Sequence, residues 1–179
     1  MARGTKIKIF HSLCELIIEL GSMDEITVTM LVQKCDISRQ TFYYHFSDIE
    51  SLLRWGVEES TAACVQSAKQ AKNIREATEI FFTMLNRGSD VLTRLLESSY
   101  SGYTTMLIKN SVAQYIAKYA QRFADESIIN SPDAMFMLEF VSDGITGGIL
   151  SVFYEKRTVD VDLVSEKLET LIFNRFLTA

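Results

Sequence analysis

The stretch Ile26–Leu53, ITVTMLVQKCDISRQTFYYHFSDIESLL, decides the fold. Thr27 is placed to cap a short helix in which Val28, Leu31, Val32 and Cys35 recur at i, i+3, i+4 and i+7. Asp36-Ile37-Ser38 interrupts that pattern. Ser38 then caps a second short helix, Arg39 to His45, with Phe42 and Phe46 four apart on one face. Two short helices joined by three residues have helix-turn-helix spacing. Such a pair needs apolar inner faces, and Val28, Leu31, Val32, Ile37 and Phe42 supply them. The outer face of the second helix shows Arg39, Gln40, Thr41, Tyr43, Tyr44 and His45. Arginine pairs with guanine and glutamine with adenine, while tyrosine and histidine reach phosphate oxygens.

On either side of this stretch the pattern stays helical. Upstream, Ile7, Phe10, Leu13, Cys14, Ile17 and Leu20 form one apolar stripe, and Gly21 supplies a stop. Ser22-x-x-Glu25 matches a capping box, but the β-branched run Ile26–Thr29 follows, so it reads as loop. Downstream, Ser47-x-x-Glu50 also matches the box, which starts a fourth helix near Asp48 that runs to about Lys69. Further helices are expected over Arg75–Arg87, Val91–Ser98 and about Tyr103–Asp125. Ser131-Pro132-Asp133 starts another that runs to about Tyr154, and the last spans about Asp160–Leu177. The expected architecture is therefore all-α, with about nine helices. Residues 1–47 are expected to form a helix-turn-helix DNA-binding domain, and residues 48–179 a helical domain whose ligand-binding and dimerisation role a family resemblance implies.

Composition agrees. One proline and eight glycines in 179 residues argue against an all-β chain, which needs turn residues every 8–12 positions. Cys14, Cys35 and Cys64 are odd in number and fall in no metal-ligand spacing, so they read as small buried hydrophobes of a reduced, cytoplasmic protein. No apolar run is expected to reach the ~18 residues of a membrane span, and the N-terminus lacks a signal-peptide pattern. Two histidines, no Gly-rich phosphate loop, no metal cluster and no activated nucleophile argue against an enzyme, which stands only as a remote alternative, and no cofactor is expected. The formal net charge is −5. Residues 1–55 carry six basic against seven acidic residues, so the acidity belongs mainly to the rest of the chain. Non-specific DNA affinity should be weak and salt-sensitive, with binding leaning on polar and aromatic contacts. Arg3, Lys6 and Lys8 are either an ordinary charged terminus or an arm that approaches the minor groove or a phosphate. His11 lies on the polar side of the first helix.

Residues 26–53 resemble the TetR family of bacterial transcriptional regulators. Thr27, Ser38, Thr41, Phe42, Tyr43, His45 and Phe46 carry the match, within a resemblance that covers roughly Lys6–Val57. The resemblance implies a homodimer that binds a palindromic operator in double-stranded DNA, with Thr27, Thr29, Ser38, Arg39, Gln40, Thr41, Tyr43, Tyr44 and His45 as the DNA-contacting set. Thr27 and Thr29 would touch phosphates, Arg39, Gln40 and Thr41 would face bases, and Tyr43, Tyr44 and His45 would hold the backbone. The family usually has a lysine at the start of the fourth helix. Ile49 stands there, between Asp48 and Glu50, which puts a phosphate contact from that position in question.

The resemblance further implies a regulator, expected to be a repressor, whose operator binding is modulated by a small-molecule effector. An effector that favours one arrangement of the body shifts the spacing of the two recognition helices. Control by a protein partner is the alternative. Met84, Tyr100, Tyr103, Met106, Tyr119, Phe123, Met137 and Phe140 suit the lining of an effector pocket, and the same set also suits ordinary core. Gly144, Gly147, Gly148, Ile149, Leu168 and Ile172 are expected at a dimer core, where glycines allow close helix approach or a kink near a pocket. Gly144–Leu150 also looks like the C-terminal helix of the branch that includes dihydroxyacetone-kinase activators. Glu139 and Asp143, four apart, suit a cationic ligand, a partner arginine or a solvated stripe.

Overall fold

The computed structural model describes residues 2–123 and 132–170. Among these there are nine α-helices and no strand: α1 Ala2–Leu20, α2 Val28–Cys35, α3 Arg39–His45, α4 Ile49–Ala68, α5 Ile74–Arg87, α6 Ser89–Leu96, α7 Ser101–Phe123, α8 Pro132–Tyr154 and α9 Val161–Leu168. The all-α architecture expected from the sequence is the one observed. Ser131, Ile172 and the expected last turns of the final helix lie outside the described residues.

The punctuation is local chemistry. Gly21 ends α1 in the left-handed region at φ +79°, its N–H bonded to Ile17. Thr27 caps α2 by accepting from Met30 N at 3.3 Å. Asp36 turns the chain at φ 51°, where a short polar side chain is tolerated. Ile37 N then bonds to Val32 O at 3.0 Å. Ser38 caps α3 by accepting from Thr41 N at 3.0 Å.

At α4 the capping box sits one residue later than the sequence suggests. Asp48, not Ser47, is the cap: Ser51 N donates to Asp48 Oδ1 at 2.6 Å, and Asp48 N donates back to Ser51 Oγ at 3.3 Å. Glu50 has no part in the box. The hydrogen bond from Ser51 N outweighs the opposing effect of burial and, with Ser47, holds the Asp48 carboxyl below the usual aspartate range. Ser22, as expected, belongs to a loop, accepting from Asp24 N at 3.1 Å.

The chain divides into two compact units. The first comprises residues 1–60 and 90–107, and the second residues 61–89 and 108–179. In the first, Ile9, Leu13, Ile17, Leu31, Phe42 and Leu52 are fully buried around one core, which Leu95 and Leu107 complete. Gly56 on α4 is required there, because a Cβ would sit 2.0 Å from the Phe10 ring. Asp24 ties the α1–α2 loop to the start of α7 by accepting from Ser99 N at 3.1 Å and from Ser99 Oγ.

In the second unit α5 packs on α9. Asn73 caps α5 and Asp160 caps α9. Asn86 satisfies both backbone groups of Val159, at 2.9 and 3.0 Å. Tyr115 donates to Ala77 O at 2.7 Å and packs against Phe81, the rings tilted by 35° with centroids 4.7 Å apart. Cys14 and Cys64 have thiols pushed by burial to about 11, so both stay protonated, and Cys35 is buried. All three cysteines are free thiols.

One expectation fails on α8. Residues 135–154 reach a mean hydropathy of 1.4 over 18 residues, long and apolar enough to cross a membrane by length and composition. The small Ser, Thr and Gly residues that interrupt the run to the eye are near neutral in hydropathy and do not lower the average enough. Only 28% of that window is buried.

Candidate nucleic-acid interface

α3 is seven residues long, too short to be stable alone in water. It is held by its Ser38 cap and by Phe42 and Phe46, which are 0% and 5% exposed. Phe46 packs against Trp55 of α4, and Lys6 of α1 sits over both rings, 5.3 and 5.6 Å from their centroids. Those anchors set which side of α3 faces outward.

The outward side carries Arg39, Gln40, Tyr43 and Tyr44, the last 80% exposed. His45 is half-buried and stands edge-on to Tyr44 at 4.9 Å. Thr41 is half-buried and shares a hydrogen bond with Ser38 at 2.9 Å. Thr29, on α2, accepts from Arg39 Nη1 at 2.8 Å, and Arg39 Nη2 donates to Tyr43 Oη at 3.4 Å. Arg39 also lies 5.9 Å from the Tyr43 ring centroid. The structure thus gathers Thr29, Arg39 and Tyr43 into one cluster, and Ser38 with Thr41 into a cap. Thr27 stays at the N-terminus of α2 with its side chain exposed.

Residues 2–8 form the first turns of α1 rather than an extended arm. Arg3 is paired with Glu59 of α4, and Lys6 is committed to its two aromatic rings. Lys34 of α2 is bridged to Glu19 at 2.7 Å and Glu15 at 3.3 Å, and these partners raise its pKa. The sequence missed the Arg39–Thr29 bond and the Arg3–Glu59 pair. Their separations of 10 and 56 residues match no helical period, so no local signal marks them.

The eight residues suggested for an effector pocket divide between the units. Tyr100 and Tyr103 pack against the core of the first, and Met106 is 45% exposed there. Met84, Tyr119, Met137 and Phe140 belong to the second. The side chain of Phe123 lies outside the described ones. Tyr119 lines an apolar cavity of about 20 Å³ with Phe81 and Phe82, room for about one water molecule.

Phe140 lines a larger apolar groove, about 400 Å³, along α8. Gly144, Gly148, Ile149 and Leu168 line the same groove, and Gly147 does not. Among the described residues nothing lies within 4 Å of a Cβ built at any of the three glycines, so none of them makes a close approach there. Asp143 is paired with Lys109 at 2.7 Å. Among the described residues no group of His, Cys, Asp and Glu suits a metal ion.

No protein-family model and no curated protein matches the chain. Solved structures do. The dihydroxyacetone kinase operon activator DhaS superposes with a TM-score of 0.70 at 15% identity, covering 96% of each chain. A TetR/AcrR-family transcriptional regulator from Aquifex aeolicus VF5 superposes with a TM-score of 0.59 at 21% identity, covering 96% of this chain and 99% of that one. At these identities the likeness is one of fold. The family that residues 26–53 resemble, and the branch that residues 144–150 resemble, are both represented among these neighbours. The chain has, over nearly its whole length, the all-α fold of the TetR/AcrR transcriptional regulators.

Proposed function

We propose that the chain is a DNA-binding transcriptional regulator that acts as a homodimer, each α3 reading one half of a two-fold operator. The observation that carries this reading is the two-sidedness of α3. Its apolar residues are sealed against α1 and α4, while Arg39, Gln40, Tyr43 and Tyr44 stand outward on a helix thin enough for the major groove. The regulators that share the fold support it. Residues 1–47 are the reading head, and the later helices supply the dimer contact and the effector response.

The dimer face is assigned to α8. Met135, Phe136 and Phe140 are more than 60% exposed on a helix of high hydropathy, beside a 400 Å³ apolar groove. An apolar surface of this kind marks an interaction site, and a two-fold axis places the same groove opposite itself. A second copy of α8 also accounts for the apolar span without a membrane.

The test uses a duplex recovered by selecting bound fragments from genomic DNA. Arg39→Ala is expected to weaken binding to that duplex by on the order of ten- to a hundredfold. Tyr44→Ala is expected to weaken it as well. Both variants should remain dimers by light scattering. Unchanged binding by both would overturn the assignment of α3.

A further inference from the structure

Arg39 is held more tightly than an exposed arginine needs to be. It bonds to Thr29 Oγ1 on α2 at 2.8 Å and to Tyr43 Oη at 3.4 Å, and it lies against the Tyr43 ring. All three residues are exposed, so burial does not force the arrangement. Contacts from two elements select one rotamer of a side chain that otherwise samples many. A guanidinium has five N–H donors, of which this clasp uses one on each Nη. Nε–H and one N–H on each Nη remain, enough donors for a bidentate pair with O6 and N7 of guanine.

We infer that Thr29 and Tyr43 are positioning residues that hold Arg39 as a guanine reader, and are not independent phosphate contacts. The inference rests on the proposed DNA binding and deepens it. If it holds, α2 contributes to base choice without touching a base. Each half-site then carries one guanine whose recognition depends on all three residues.

The experiment is a double-mutant cycle on the selected duplex and on duplexes changed at each half-site guanine. Failure of the wild-type protein to bind any DNA selectively would sink the DNA-binding reading itself. Given selective binding, Arg39→Ala should cut the preference for guanine at one half-site position by on the order of ten- to a hundredfold. Thr29→Val and Tyr43→Phe should cut it at the same position by about two- to tenfold. Thr29→Val added to Arg39→Ala should cost nothing more, and Thr29→Ser, which keeps the hydroxyl, should retain the preference. The inference is overturned if Thr29→Val weakens all duplexes equally, lowers the salt slope by about 1 and adds in full to Arg39→Ala. It is also overturned if Arg39→Ala leaves the preference for guanine unchanged at every position.

Discussion

Single residues fix the reading head through contacts that pattern alone does not show. Gly56 is one. Its missing Cβ leaves room for the Phe10 ring, so Gly56→Ala overpacks the α1–α4 contact. The expected cost is about 1–3 kcal/mol, seen as a lower melting temperature that Phe10→Leu partly restores in the double variant. Asp48 is another. Asp48→Ala removes the α4 cap and should cost about 1 kcal/mol, whereas Asp48→Asn caps as well without titrating. Because the folded pKa of Asp48 lies below its unfolded value, its contribution is present above the unfolded value. It is lost as the pH falls through the folded one. The wild type should therefore lose stability below about pH 4 relative to Asp48→Asn in acid melts. Parallel curves for the two proteins would contradict this.

The residue scale is also where the sequence is least explicit. Ser47-x-x-Glu50 and Asp48-x-x-Ser51 are offset by one position, and only the backbone geometry chooses between them. Thr29 and Arg39 meet because Asp36 turns left-handed between their helices.

At the scale of elements most of the fold was readable. The bounds of α2 and α3 follow directly from Thr27, Ser38 and the three-residue turn, because caps and periodicity are local. α8 departs from its sequence pattern in one respect. Its Ser, Thr and Gly residues disguise a helix apolar enough to need cover, and sequence alone does not say what covers it. If a second copy does, Gly148→Leu should convert the dimer to a monomer by light scattering. A Cβ at this position meets no atom among the described residues, and leucine favours helix over glycine by roughly 1 kcal/mol. Melting of the monomer should therefore not suffer, which separates a lost interface from a lost fold. A persistent dimer would refute the assignment of α8.

Across the whole molecule the charge is net acidic, and the cations near α3 are partly committed. Arg3 and Lys34 are paired with carboxylates, and Lys6 lies over aromatic rings. A protein that depended on bulk electrostatics for DNA would not be built this way. Affinity should rest on α3 and on having two of them, which makes operator symmetry the central claim. Its most direct measurement is selection of bound sequences from a random DNA library, read out by sequencing. The account predicts an inverted repeat whose half-sites each contain a guanine, with their centres about one helical turn or a multiple of it apart. Enrichment of a single unpaired half-site, or of no sequence at all, would contradict it.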